Sequence, residues 1–364
     1  MDGEFVPELT FENDDFLATC VFLAFPSFFL DDMMRPRSLA LVRTRRVRAL
    51  TVSPTLACPS TRVTACRSRQ PRVNPKTPKP SALGAFFPMP PRSKFVKVPH
   101  EKLFTSTPQP SMFGNPPNPV QDKRGWSALN WLTSKFHFSF AEYSSRNDSF
   151  GVLRVMNDDL VQPNRGFGEH GHANMEICTY VVDGELTHKD SLGTAETLGR
   201  GAIQFMTSGK GVRHSEHNLD GSKPLRFIQM WITPDAGGLV PNYGSHLTTK
   251  QDRLNRWCDA VGPVAGSGAH AGTAPVQIHA DCVIRVAELE PGIALRLQCA
   301  AKRQAYLLCV EGDVGVTEHG ETLTRHDAAE LSAGADITLV AGTKGAHMLV
   351  VEMAERRGSG RDDL

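Results

Sequence analysis

Beyond Val120 the chain is written as short apolar runs broken by Gly, Asn and Asp: "FGVLRVM", "MEICTYVV", "AIQFMTS" and "LRFIQMWI". Runs of this length with turn residues between them predict strands, and their frequency predicts an all-β barrel or sandwich. A Gly-rich passage, "VGPVAGSGAHAGTAP", separates this block from a second of the same grain: "CVIRVAEL", "IALRLQC", "AYLLCVEGDVGV", "ITLVAG" and "HMLVVEMA". We therefore expect a first β domain over residues 121–246, a linker over 247–275, a second β domain over 276–356 and a tail over 357–364. Upstream, "PRVNPKTPKP" and "STPQPSMFGNPPNP" sustain neither helix nor central strand, so residues 1–120 are expected to be a largely disordered extension.

The two blocks resemble each other. "TYVVDGEL" (Thr179 to Leu186) matches "LLCVEGDV" (Leu307 to Val314), each an apolar strand ending in an acidic-Gly-acidic turn. Superposing Gly184 on Gly312 sets His170 over Gln298 and His172 over Ala300, with Ile337 and Leu339 on the later strand. The second block is expected to bind no metal.

Composition changes this picture mainly at the N-terminus. The 364 residues are 40% hydrophobic and carry a net charge of +1, so nothing in the balance asks for nucleic acid or anionic lipid as partner. From Met33 to His100 there is no acidic residue, whereas ten arginines fall between Arg35 and Arg72. Such a leader reads as a transit peptide for an organelle, plastid or mitochondrion, or as a basic tail on a cytoplasmic or nuclear protein. Residues 1–32 are acidic, and their apolar run "FLATCVFLAFPSFFL" is too short and wrongly flanked for a membrane span or signal peptide; Met33 or Met34 is an alternative start. Eight scattered cysteines without a C-x-x-C pair favour a reducing compartment.

The candidate chemistry lies in "GFGEHGHANMEI", Gly166 to Ile177. Residues two apart on a strand share a face, so His170 and His172 can both point into a barrel. "GKGVRHSEHN" supplies a second such pair, His214 and Glu216. Three imidazoles and a carboxylate suit Fe, Mn, Ni, Cu or Zn and leave two positions open on an octahedral ion. Glu176 shares parity with His170 and His172 on an unbroken strand and competes as a ligand; His217 has the wrong parity. His188 and Asp190 follow the Gly184 turn, where polar residues more often satisfy loop backbone.

"RGFGEHGHANMEICTYVVDGELTHKDSLG" followed by "FMTSGKGVRHSE" resembles the pirin family of the cupin superfamily, most of all its bacterial, quercetinase-like members. The resemblance extends over Trp126 to Glu355, including "FSFAEY" and "LRVMNDD". It implies a bicupin, two β-barrel (double-stranded β-helix) domains face to face, with one metal, usually Fe(2+), in the N-terminal barrel. His170, His172, His214 and Glu216 match the family's ligands, which demotes Glu176 to proton handling. Many relatives carry His where this chain has Phe136, with His137 beside it. The implied activity is dioxygenase cleavage of a small phenolic, flavonol-like substrate with O2, with Glu216 or Glu176 taking the hydroxyl proton and the protein acting as a monomer. The alternative is a non-enzymatic, redox-sensing iron protein with a transcription factor as partner.

Overall fold

The computed structural model describes residues 95–116, 130–266 and 272–355. Two short strands come first, β1 (Phe95–Val98) and β2 (Phe104–Ser106), followed by a 3-10 turn at Pro110–Phe113. The first domain continues through β3 (Leu132–Phe136), β4 (Leu153–Val161), β5 (Arg165–His172), β6 (Glu176–Asp183) and β7 (Leu186–Asp190). It then runs through β8 (Ala195–Leu198), β9 (Ala202–Thr207), β10 (Val212–Asn218), β11 (Leu225–Ile232) and β12 (Asn242–Leu247). These strands make a seven-stranded sheet, in the order β12-β9-β6-β11-β4-β3-β2, and a four-stranded sheet, β5-β10-β7-β8. The four-stranded sheet carries every expected metal ligand.

After one helical turn, α1 (Lys250–Arg253), the second domain is built from β13 (Cys258–Pro263), β14 (Val276–Ile278), β15 (Cys282–Leu289) and β16 (Ala294–Gln298). It ends with β17 (Arg303–Val316), β18 (Glu321–Thr324), β19 (Ala328–Leu331) and β20 (Asp336–Ala354). With β1 these form one nine-stranded sheet. The long β17 and β20 each pair with strands from both halves of the barrel, with register shifts in β17 near Glu311 and Gly312 where it bends.

The uninterrupted apolar runs have a physical reason: their strands are buried on both faces. In β6, Cys178, Tyr180 and Val182 join a core between the two domains, whereas Val181 faces the core of the first barrel. In β11, Ile228, Met230 and Ile232 face the second domain and Phe227 faces inward. The shared core includes Val286, Tyr306 and Leu349 from the opposite side, which sets the barrels face to face.

Two expected boundaries move. The extension expected over 1–120 is ordered in part: β1 pairs with β19 of the second domain, and β2 pairs with β3 of the first. Both are short edge strands set in Pro-rich text, which hides their pattern. The linker expected over 247–275 contains β13, which pairs with β15, and its Gly-rich run lies inside the second domain between β13 and β14. Expectations for residues 1–94 and for the tail over 357–364 lie outside the described residues.

The internal repeat is visible at its turns, where Gly184 and Gly312 both adopt positive φ, +78° and +72°. A Cβ at Gly184 would sit 2.5 Å from the Pro224 carbonyl oxygen. Gln298 does not point inward as His170 does. It is exposed and bonds Asp336, while Leu297, Ile337 and Leu339 fill the second barrel. Its interior, among the described residues, is apolar where the first domain has histidines.

Polar groups also cross the domain interface. Arg226 forms a bidentate pair with Asp158 at 2.8 and 2.7 Å and donates to the Val310 carbonyl, while His326 bonds the same Asp158. Burial alone would raise the Asp158 carboxyl, but Arg226 and His326 hold it well below the usual range. His137 lies here too, 3% exposed, with Nδ1 3.0 Å from the Tyr306 hydroxyl. Burial lowers its pKa to about 4 from 6.5. Between those values the unfolded chain binds the extra proton and the folded one does not, so stability falls as pH drops from 6.5 towards 4. The shift corresponds to at most about 3 kcal/mol at the acid end. The stability difference between wild type and His137→Gln in urea melts should therefore be constant above pH 6.5 and shift in the variant's favour as pH falls from 6.5 towards 4, where only wild type meets the penalty; equal pH dependence in the two would refute the assignment.

Candidate metal centre

Strand β10 lies between β5 and β7 in the four-stranded sheet, and its register assembles the site. His214 sits directly across from His170, and Val212 from His172. On the other side His214 faces Asp190, and Glu216 faces His188. The three rings of His170, His172 and His214 form a triangle with centroids 4.6 to 4.9 Å apart. Their nearest ring nitrogens lie within 4.8 Å of one another. A second group of ligand atoms, from His188, His214 and Glu216, meets the same limit, so the two groups share His214.

The nitrogens are prepared for a cation. The tautomer of His170 is set by Nδ1–H donating to the Gly168 carbonyl at 2.8 Å, which leaves Nε2 free for the centre. Burial, with histidine neighbours adding, lowers His172 to about 3 and His214 to about 3, so both rings are neutral at physiological pH. Both nitrogens of His214 are buried and have no hydrogen-bond partner. Polar atoms left this way cost roughly 1–3 kcal/mol each, and a cation at the centre would take the one that faces it. The donor set therefore fits a divalent transition metal, and its imidazoles and single carboxylate match Fe, Mn, Ni, Cu or Zn chemistry.

Glu216 is 2% exposed, and burial raises its pKa. Three polar side chains hold its carboxylate: Gln204 Nε2 donates at 2.7 Å, Gln229 Nε2 at 3.0 Å and Thr179 Oγ1 at 3.3 Å. These three escaped the sequence reading, yet a signal was present. Each is a polar residue at inward parity in an otherwise apolar strand, "MEICTYVV", "AIQFMTS" or "LRFIQMWI".

Asp190 satisfies loop backbone as expected, its Oδ1 accepting from the Leu192 and Thr194 N–H groups at 2.9 and 3.0 Å, whereas His188 is corrected to a member of the cluster. Both lie on β7, His188 fully buried, with Nε2–H donating to Asp190 Oδ2 at 2.9 Å and Nδ1 unpartnered beside Glu216 and His214. Tyr243 stacks on the ring at 4.4 Å. A single residue, Glu185, separates the Gly184 turn from the start of β7 at Leu186.

Glu176 is not brought to the cluster. The chain does turn at Asn174, which has φ +54°, but residues 176, 178 and 180 of β6 face the second domain. The Glu176 carboxylate accepts from Thr207 Oγ1 at 2.8 Å and lies 3.1 Å from both the backbone nitrogen and Nδ1 of His279. That orientation removes it from proton handling at the histidines. Of the expected ligands, His170, His172 and His214 converge, while Glu216 converges with His214 and His188 on the same sheet. Phe136 is buried in β3, and the neighbouring His137 points to the other domain.

Around the mouth, Trp231 packs edge-on against His172 at 4.8 Å and Phe140 against Trp231 at 5.2 Å. A cavity of about 360 Å3 at the ends of β5 and β10 is lined in part by His172, Gly211 and Arg213. No helix among the described residues is long and apolar enough to cross a membrane.

Comparison with known proteins agrees with this architecture. Residues 119–232 match the Pirin family, and residues 267–353 match the quercetinase C-terminal cupin domain. A pirin-like protein of Caulobacter vibrioides is 37% identical over 234 residues, 64% of this chain and 97% of its own length. A quercetin 2,3-dioxygenase of Escherichia coli K12 is 33% identical over 59% of this chain and 92% of its own length. The crystal structure of YhhW from Escherichia coli covers 73% of this chain and all of its own, with a TM-score of 0.59 at 26% identity. The same bacterial pirin is known in complex with nickel(II), at 25% identity and a TM-score of 0.59 over 72% of this chain. With both barrels, the histidine sheet and near full-length relatives in agreement, the chain belongs to the pirin family of bicupins.

Proposed function

We propose that this pirin is a metal-dependent dioxygenase of the quercetin 2,3-dioxygenase type, using Fe(2+) to open a flavonol-like substrate with O2. The observation that carries the reading is His214: a buried imidazole with two unpartnered nitrogens, flanked by two further imidazoles and a pinned carboxylate. When bound, the cation acts as a Lewis acid on a substrate oxygen and offers a redox partner for dioxygen. The chain's own residues do the rest. His170, His172 and His214 would hold the centre, His172 and His214 as neutral rings and His170 oriented through Gly168. Glu216 presents its carboxylate with Gln204, Thr179 and Gln229 fixing it, and a carboxylate held in this way at the centre is placed to accept the substrate's hydroxyl proton. Trp231 and Phe140 supply an aromatic wall beside His172, which favours a planar aromatic substrate over an aliphatic one.

The test is oxygen uptake by iron-loaded protein given quercetin, read together with loss of flavonol absorbance. Uptake matched one to one with flavonol loss is the expected result. Bound iron with no uptake on any flavonol would reject the enzymatic reading and leave a metal-binding pirin acting through partners.

A further inference from the structure

Among the described residues, the strand that carries His170 and His172 is the edge of its sheet, since β5 pairs there with β10 alone. Edge strands present unpaired backbone groups and are the part of a sheet most open to fraying. Here the edge is closed by the 3-10 turn at Pro110–Phe113 and the two residues after it. Asn115 is buried, and its side chain reads the Gly166 backbone as a neighbouring strand would: Nδ2 donates to the Gly166 carbonyl at 2.8 Å, and Oδ1 accepts from its N–H at 3.0 Å. Phe113 lies edge-on to Phe167 at 5.2 Å and to His170 itself at 5.7 Å. A Cβ on Gly168 would come within 2.7 Å of the Phe113 carbonyl, so only glycine lets this turn sit flush on the strand.

The contact falls where β5 departs from regular pairing. Phe167 opposes Glu216 and His170 opposes His214, three steps on β5 against two on β10, so β5 bulges between them. A bulge re-aims a side chain or a backbone group. At this one the Gly168 carbonyl accepts the His170 Nδ1–H and so fixes which nitrogen faces the centre.

We propose that Phe113 and Asn115 are positioning residues of the metal centre, acting through the Gly166–Gly168 backbone to hold the carbonyl that orients His170. The turn lies ahead of the stretch that matches the Pirin family, which begins at residue 119. The inference rests on the reading that the histidines hold a cation, not on the reaction.

Full-length wild type, Asn115→Ala and Phe113→Ala should be titrated with Co(II) against a competing chelator, with the Co(II) absorption bands recorded and the metal-free melting temperature measured alongside. Loss of an outer partner of a ligating histidine costs roughly 10–100-fold in metal affinity. We expect a loss in that range, with shifted Co(II) bands. Phe113→Leu, which refills the space, should recover most of it. Asn115→Asp, which keeps the acceptor but not the donor, should be intermediate and serves if Asn115→Ala does not fold. Wild-type affinity and bands in the variants, with only a lowered metal-free melting temperature, would make the turn a stability element and overturn the proposal. A wild-type protein that binds no Co(II) would instead sink the metal-centre reading on which the proposal stands.

Discussion

His214→Ala is expected to abolish metal binding, and with it any metal-induced rise in melting temperature. Its ring is the one member common to both groups of converging ligand atoms, across from His170 on one side and beside Glu216 on the other. Removing it leaves no three ligand atoms of either group together, so the loss should exceed the roughly 10–100-fold that an outer partner costs. The metal-free protein should respond oppositely. Its two buried, unpartnered nitrogens are a standing penalty of roughly 1–3 kcal/mol each, and the alanine removes them at the cost of a small void. The metal-free variant is therefore expected to melt close to metal-free wild type, while added Fe(2+), Ni(2+) or Co(2+) raises only wild type, as binding to the folded state requires. Metal content of wild type should be one per chain, because the second barrel offers Leu297, Ile337 and Leu339 where the first offers histidines. A variant that keeps its metal, or a second equivalent in wild type, would contradict this account.

Much of the centre was legible because period-two parity survives in this sheet. H-x-H on one strand and H-x-E on another specify a shared face, and the register delivers His170 opposite His214. The two-domain β architecture was legible for a related reason, since strands buried on both faces read as unbroken apolar runs. What escaped depended on tertiary context. His188 sits one strand away in sequence but directly across from Glu216 in the sheet, a relation only register reveals. Glu176 has the spacing of a ligand, but the turn at Asn174 begins a new strand and resets parity, so its carboxylate emerges on the far face. Phe113 and Asn115 lay in Pro-rich text read as disordered, because a turn that borrows its order from the strand it covers leaves no periodic pattern of its own.

The two carboxylates give the second large effect. Glu216→Gln should weaken metal retention strongly, because the amide is neutral and its NH2 group would face the nitrogen of either Gln204 or Gln229, which now donate to separate oxygens of the carboxylate. A buried site that loses its one anionic ligand no longer offsets the charge of a divalent ion, and one of the two amide donors is left without an acceptor. Glu176→Gln should leave metal content and Co(II) bands at wild-type values. Its carboxylate is fully buried against Thr207 and the His279 backbone and ring, so its loss should appear in the contact between barrels, as a fall in unfolding free energy on the order of 1–3 kcal/mol read from a lowered denaturant midpoint. Metal analysis of both variants after chelator dialysis, beside urea melts of their metal-free forms, separates the roles. Metal lost from the Glu176 variant and kept by the Glu216 variant would mean that the chain turns Glu176 back into the barrel when the ion is bound, and the assignment of Glu216 as the fourth ligand would fall.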